Sequence, residues 1–80
     1  MKRSRSDITL EVLNVCRNRV SKTRIVYKAN LNFNIATTYI DLLSEKGLLN
    51  IGDGPGTLYE TTPQGMEAIK TLKQLGNFLS

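Results

Sequence analysis

The chain has 80 residues, of which 40% are hydrophobic and 22% are charged, and its formal net charge at pH 7 is +4. A single domain of this length buries about 60 to 65% of its unfolded surface, so its core is too thin for a typical enzyme cleft. One cysteine and no histidine exclude an internal disulfide, a Cys–His pair and the common metal-ligand sets.

The remaining motifs for catalysis are also missing from the sequence. The carboxylates are scattered, and no glycine loop followed by Lys-Ser/Thr is present to hold a nucleotide phosphate. We therefore expect no enzyme and no cofactor.

No apolar run approaches the roughly 20 residues of a membrane span, and polar residues follow the basic start Met-Lys-Arg-Ser-Arg-Ser too soon for a secretory signal. We expect a cytoplasmic protein.

The positive charge is concentrated in the first third of the chain. Residues 1–28 hold eight basic and two acidic residues, a net charge of +6, while the rest holds three basic and five acidic residues, a net charge of −2. This distribution is typical of a surface that binds a polyanion, although it also fits a merely solvated surface. Residues 1–5 are predicted to form a flexible basic arm.

A first helix is predicted to begin at Ser6 or Asp7, because apolar residues then repeat at helical spacing. Cys16 lies four residues after Val12 on the inward face of this helix. We interpret Cys16 as a packing residue and not as a reactive thiol. Residues 18–22 follow as a polar link.

Residues 23–47 are typical of a helix-turn-helix. Thr23 is predicted to cap the first helix, which ends near Asn30, because Asn tolerates the left-handed conformation. Asn32 is predicted to cap the second helix and Gly47 to end it. The inward stripe of this second helix is predicted to hold Phe33, Ala36, Ile40 and Leu43. The residues left to face outward are Asn34, Ile35, Thr37, Thr38, Asp41 and Ser44.

Two short runs, residues 48–51 and 57–61, flank the segment Gly-Asp-Gly-Pro-Gly, which only a turn accommodates. The runs are predicted to pair as a β-hairpin, the wing. Thr62 and Pro63 then start a last helix as N-cap and first helical residue. This order predicts a mostly α fold, a winged helix-turn-helix over residues 6–61 with a C-terminal helix over residues 62–80.

The last helix carries more apolar surface than so small a domain covers. It is predicted to be about 25 Å long at 1.5 Å per residue. We expect the surplus to form a homodimer interface from Met66, Ile69, Leu72, Leu75 and Leu79.

In a helix-turn-helix the second helix enters the major groove of DNA while the first crosses the phosphate backbone. Cations and free helix N–H groups meet at the start of the first helix, as in sites that hold phosphate. We predict phosphate contacts from Arg17, Arg19, Ser21, Lys22, Thr23, Arg24 and Lys28. Base contacts are predicted from Asn34, Thr37 and Thr38, because Asn can pair with adenine and a Thr methyl can touch thymine. Tyr27 and Tyr39 are interpreted as core or rim aromatics.

The run Lys-Thr-Arg-Ile-Val-Tyr-Lys-Ala-Asn-Leu-Asn-Phe over residues 22–33 resembles archaeal winged-helix regulators and the related chromatin proteins of the 10a type, as do Tyr39-Ile40 and Lys-Gly-Leu-Leu over residues 46–49. The resemblance implies a transcriptional regulator or chromatin-associated protein that binds double-stranded DNA in the nucleoid as a homodimer. The last helices of the two protomers would form an antiparallel coiled coil. The sequence departs from that family at Thr38 and Asp41, where members often carry Lys or Arg. It also lacks a basic residue in the wing tip and has a shorter last helix.

With few strong donors on the outward face of the second helix, we expect modest sequence selectivity. The alternative is a winged-helix module that binds another protein through its last helix and does not bind DNA. The uncharged wing tip and Asp41 favour this alternative, and the charge of residues 1–28 opposes it.

Overall fold

The computed structural model describes residues 3–52 and 56–79, and for residues 77–79 it describes the backbone alone. The elements in chain order are α1 (Arg5–Val15), α2 (Lys22–Ala29), α3 (Phe33–Glu45), β1 (Leu49–Ile51), β2 (Tyr59–Thr61) and α4 (Pro63–Leu79). The predicted order of three helices, a hairpin and a last helix is therefore confirmed. No helix in the described ranges is both long and apolar enough to span a membrane.

Helix α1 begins at Arg5, earlier than predicted. The Ser4 hydroxyl accepts a hydrogen bond from the Asp7 N–H at 3.1 Å, and the Asp7 carboxylate accepts one from the Ser4 N–H at 3.0 Å. This reciprocal pair is a capping box, which satisfies two N–H groups that the helix itself leaves unpaired. Asp7 is thus a residue of the first turn and not the cap.

Arg3 is also fixed in place. Its guanidinium donates to the Ala29 carbonyl at 2.6 Å and to the Asn30 carbonyl at 2.8 Å, and it lies 3.3 Å from the Glu11 carboxylate. The two carbonyls close helix α2, where unpaired C=O groups carry partial negative charge. The prediction of a free arm is thus wrong for residues 3–5, and residues 1–2 lie outside the described part of the chain.

The ends of α2 and α3 follow side-chain capping. Ser21, not the predicted Thr23, caps α2 by accepting from the Arg24 N–H at 3.3 Å. Asn30 closes α2 in the left-handed conformation with φ 54°, and Asn32 caps α3 by accepting from the Ile35 N–H at 2.8 Å, both as predicted. The first helical residue is Lys22, so the cap position falls on Ser21 and Thr23 lies inside the first turn.

The core lies between the four helices and the hairpin. Its buried apolar residues are Val12, Leu13, Cys16, Ile25, Ala29, Ala36, Ile40, Leu43, Leu49, Tyr59 and Ile69. Phe33 was predicted to join them but is 53% exposed, because the first residue of α3 lies beyond the buried part of the stripe. Ser44 was predicted to face outward, yet its Oγ is buried and finds no hydrogen-bond partner among the described residues. It lies one residue after Leu43, at the edge of the stripe.

The hairpin pairs Leu49 with Thr61 and Ile51 with Tyr59 in antiparallel register. Val20, in the link between α1 and α2, adds a bridge to Tyr59 through two backbone hydrogen bonds of 3.0 and 2.7 Å. The predicted polar link is therefore attached to the edge of the hairpin. The centre of the predicted wing tip, residues 53–55, lies outside the described residues.

Two threonines attach the hairpin to the helices. Thr61 Oγ1 donates to the Leu13 carbonyl at 2.6 Å, near the end of α1. Thr62 Oγ1 donates to the Gly47 carbonyl at 2.7 Å and accepts from the Gly65 N–H at 3.0 Å, which is the N-cap contact predicted for α4. Helix α4 thereby packs closely against the segment that precedes β1.

Candidate nucleic-acid interface

The exposed face of α2 is cationic. Ile25 and Ala29, four residues apart, are fully buried, which turns the opposite face of this helix to solvent. Arg24 and Lys28, also four residues apart, lie at one side of this helix, between the buried and the opposite faces, and are exposed. Because no acidic residue lies in α2, both charges stay uncompensated within the helix.

A groove runs beside this face, between the end of α1 and α2. Its volume is about 410 Å³, and Arg19, Arg24 and Lys28 line it together with two amide side chains, Asn14 and Asn18. Guanidinium, ammonium and amide N–H groups are the donors that hold phosphate oxygens in protein–DNA interfaces. The sequence prediction named the cations but not the two Asn residues, which α1 and the link after it bring to the groove.

Arg19 has a partner of its own. Its Nη2 lies 3.6 Å from the Glu60 carboxylate on β2, and both side chains are about half exposed or more. An exposed pair of this kind contributes little to stability. A phosphate in the groove can therefore compete with Glu60 for Arg19.

Lys22 differs from the other predicted phosphate contacts. Its Nζ donates to Thr37 Oγ1 at 3.2 Å, and both residues are half-buried at the junction of α2 and α3. Ser21 is half-buried too, and its hydroxyl is engaged as the cap. The exposed members of the predicted phosphate set are Arg17, Arg19, Thr23, Arg24 and Lys28.

The structure brings together two of the three predicted base-reading residues. Asn34 and Thr38 are exposed and one helical turn apart, and Thr38 Oγ1 donates to the Asn34 carbonyl at 3.0 Å. This bond uses the Thr38 proton but leaves its methyl group and the Asn34 side-chain amide free. Thr37 is turned toward Lys22 instead, and Asp41 is exposed on the next turn.

Of the apolar residues of this surface, the sequence prediction placed Ile35 outward but missed the exposure of Tyr27 and Phe33. Tyr27 is 80% exposed, so it is not a core aromatic, whereas Tyr39 is half-buried. Phe33 and Ile35, which flank Asn34, are 53% and 41% exposed. Tyr27 lies midway between buried Ile25 and Ala29, a spacing that places it opposite the core and that could have identified it.

The predicted dimer residues of α4 do not share one environment. Met66 and Leu75 are exposed, and Leu72 is half-buried beside Leu10 in a groove of about 480 Å³ between the start of α1 and α4. Ile69 is only 5% exposed and belongs to the core, so its assignment to an interface is wrong. The side chain of Leu79 lies outside the described part of the chain.

Cys16 is fully buried, and its burial raises the pKa of the thiol to about 12. The interpretation of Cys16 as a packing residue is confirmed, because a thiol of this pKa is not a nucleophile at neutral pH. Over residues 3–52 and 56–79, no three or more Cys, Asp or Glu side chains come together as a set that could hold a metal ion.

Comparisons with known proteins agree with this architecture. The model of the family described as winged helix-turn-helix matches residues 2–80. The solved structure of Sso10a-2, a DNA-binding protein from Sulfolobus solfataricus, matches with a TM-score of 0.88 and 27% sequence identity, over 95% of this chain and 81% of that chain. A search among curated proteins finds no match.

Two further structures share the fold at lower identity. The transcriptional regulator BldR from Sulfolobus solfataricus has a TM-score of 0.79 and 18% identity, over 90% of this chain and 56% of that chain. Lactococcus lactis ZitR, solved as the wild type in complex with DNA, has a TM-score of 0.68 and 17% identity, over 99% of this chain and 66% of that chain. This chain thus spans a little over half of BldR and about two thirds of ZitR.

Proposed function

The chain belongs to the winged helix-turn-helix family, and from that premise we propose that it binds double-stranded DNA as a transcriptional regulator in the nucleoid. Helix α3 enters the major groove and α2 lies against the phosphates, the division of roles that helix-turn-helix proteins share. The description of Sso10a-2 as DNA-binding and the complex of ZitR with DNA support this proposal.

The single observation that carries the proposal is that the two joined helices of the helix-turn-helix expose different chemistry. Arg24 and Lys28 are exposed on α2, Asn34 and Thr38 are exposed on α3, and the 3.2 Å hydrogen bond from Lys22 to Thr37 joins the two helices. One surface offers cations to phosphates, and the other offers an amide and a methyl group to base edges. Few strong donors lie on α3, so most of the affinity comes from phosphates and sequence selectivity is modest.

The predicted number of phosphate contacts sets the salt dependence. With about four to seven contacts per protomer, and about 0.9 counterions released for each, the logarithm of the binding constant falls with the logarithm of salt concentration at a slope of roughly −4 to −6. A slope of this size distinguishes a phosphate-binding surface from a protein-docking surface, which has few ion pairs to lose.

We further propose that α4 mediates a homodimer through Met66, Leu72 and Leu75. Leu72 and Leu75 form an incompletely covered apolar surface on α4 next to Leu10 of α1, and Met66 is exposed nearer the start of the same helix. In a dimer, two α3 helices can address successive major grooves about 34 Å apart. A dimeric mass by sedimentation at about 100 µM is expected, and a monomeric mass at that concentration contradicts this part of the proposal.

A salt-controlled DNA titration tests the function. Fluorescence anisotropy with a labelled duplex should show binding that weakens at least about 250-fold between roughly 50 and 200 mM salt, as the slope of −4 requires. The variant Arg24→Ala with Lys28→Ala removes two exposed cations, so it should weaken binding and reduce the salt slope by about 2.

A matched control removes the same charge elsewhere. Lys70→Ala with Lys73→Ala takes two exposed cations from α4, far along the chain from the helix-turn-helix. This control should bind DNA with almost the wild-type slope. If binding is absent, or responds neither to salt nor to the α2 variant, the DNA-binding proposal fails and the protein-interaction module is favoured.

A further inference from the structure

The first turn of α3 exposes apolar side chains where a DNA-reading helix would usually be polar. Phe33 and Ile35 are 53% and 41% exposed, and Asn34 between them is exposed as well. At 100° per residue, Phe33 and Ile35 lie about 100° around the helix on either side of Asn34, so a groove that encloses the first turn meets an amide at its floor and an apolar group toward each wall. The major groove of duplex DNA presents both hydrogen-bonding and apolar groups that such side chains can contact.

Only one base presents an apolar group in the major groove. Thymine carries a C5-methyl there, whereas guanine, cytosine and adenine show only hydrogen-bonding groups along the same edge. Asn pairs bidentately with adenine, the partner of thymine. An Asn with apolar neighbours is therefore suited to a run of A·T pairs, in which the amide pairs with adenine and the apolar side chains contact thymine methyl groups.

The charge on the neighbouring helix favours a nucleic acid over an apolar protein as the partner of this surface. Arg24 and Lys28 are exposed on the adjoining helix, and Lys22 contacts Thr37 on α3 at 3.2 Å. An apolar partner would have to desolvate these cations without compensation. A duplex instead offers phosphates to α2 and methyl groups to α3 in the same contact.

We propose that Phe33 and Ile35 select thymine through its C5-methyl group, so that the protein prefers A·T-rich duplexes. This inference rests on the proposed DNA binding and adds the chemical feature that is recognised. Each contacted methyl raises affinity by about fourfold, the effect of removing one methyl group from water.

Replacing thymine by uracil tests the inference, because it removes the methyl and leaves every hydrogen-bonding group in place. Two duplexes of one A·T-rich sequence, one with dT and one with dU in both strands, are titrated by anisotropy at the same salt concentration. The wild-type chain should bind the dT duplex at least about fourfold more tightly. The variant Phe33→Ala with Ile35→Ala should lose most of this preference, and only the contribution of the Thr38 methyl should remain.

Leu42→Ala provides the matched control, since Leu42 is an exposed apolar residue in the second half of the same helix. It should keep the wild-type preference for the dT duplex. Equal wild-type affinity for the two duplexes, with salt-dependent binding intact, overturns the thymine inference and leaves the DNA-binding proposal standing. An equal preference for dT in the Phe33 and Ile35 variant also overturns it, and absence of binding to both duplexes overturns both proposals.

Discussion

Alanine at Gly65 should destabilise the fold, although alanine favours helices. A Cβ at this position would lie 2.5 Å from Thr61 Cγ2 and still closer to the Leu48 carbonyl oxygen, within distances that real Cβ atoms essentially never show. A backbone carbonyl cannot move aside as a flexible side chain does. Helix α4 would have to shift away from the hairpin, which also strains the hydrogen bond from Thr62 to Gly47.

The magnitude follows from two opposing contributions. Alanine is more favourable than glycine inside a helix by about 0.8 to 1 kcal/mol, whereas overpacking of a close contact costs about 1 to 3 kcal/mol. The upper part of that range applies to a backbone contact, so the free energy of unfolding should fall by about 1 to 2 kcal/mol. At roughly 4 to 8 °C per kcal/mol for a domain of this size, Tm should fall by about 4 to 16 °C.

The same substitution at Gly76 is the matched control. Gly76 lies in the same helix, and among the described atoms none comes within 4 Å of its added Cβ. Gly76→Ala should therefore raise the free energy of unfolding by up to about 1 kcal/mol. Thermal and urea unfolding followed by circular dichroism at one protein concentration measure both variants, and a rise in Tm for Gly65→Ala as large as that for Gly76→Ala refutes the steric argument.

Three other substitutions test individual contacts. Arg3→Ala should lower the free energy of unfolding by about 1 to 2 kcal/mol, because two carbonyls at the end of α2 lose a charged donor, while Arg5→Ala, an exposed residue of the first turn of α1, should change it little. Ser44→Ala should raise it by about 0.5 to 1.5 kcal/mol in urea unfolding, since a buried, unpaired hydroxyl is removed and alanine favours the helix; a decrease contradicts the burial. Cys16 should resist iodoacetamide until the chain unfolds. Burial raises the pKa of Cys16 from 9.0 to about 12, so between these values the thiol is neutral in the folded chain but ionised in the unfolded chain. Its contribution to the free energy of unfolding is therefore complete below pH 9 and is lost as the pH rises toward 12. Urea midpoints should fall less with rising pH in Cys16→Ala than in the wild-type chain.

Local chemistry made most of the helix ends predictable. Asn30, Asn32 and Thr62 act within three or four residues of their own positions, so their capping roles can be inferred from sequence spacing alone. The start of α1 is equally local, but the prediction placed it at Ser6 or Asp7 and missed the reciprocal pair of Ser4 and Asp7. Arg3 could not be placed in this way, because its partners lie 26 and 27 residues away and only tertiary packing brings them together.

Periodicity identified the inward faces but not the limits of the core. The stripe of α3 is correct at Ala36 and Ile40 but fails at Phe33, where the covering elements end. The stripe of α4 likewise combined Ile69, which the core buries, with Met66 and Leu75, which remain exposed. Which residues of a stripe are buried depends on the lengths of the neighbouring elements, and the apolar pattern of one helix carries no information on those lengths.

The bridge between Val20 and Tyr59 has a consequence for the speed of association. Val20 immediately precedes the cap of α2, so the two backbone hydrogen bonds to the hairpin hold the beginning of that helix in place before any partner arrives. A contact surface that is already ordered loses little conformational entropy on docking. On the proposed role, the start of α2 is already in place when it meets a duplex, which favours association at a rate set by diffusion and electrostatic attraction.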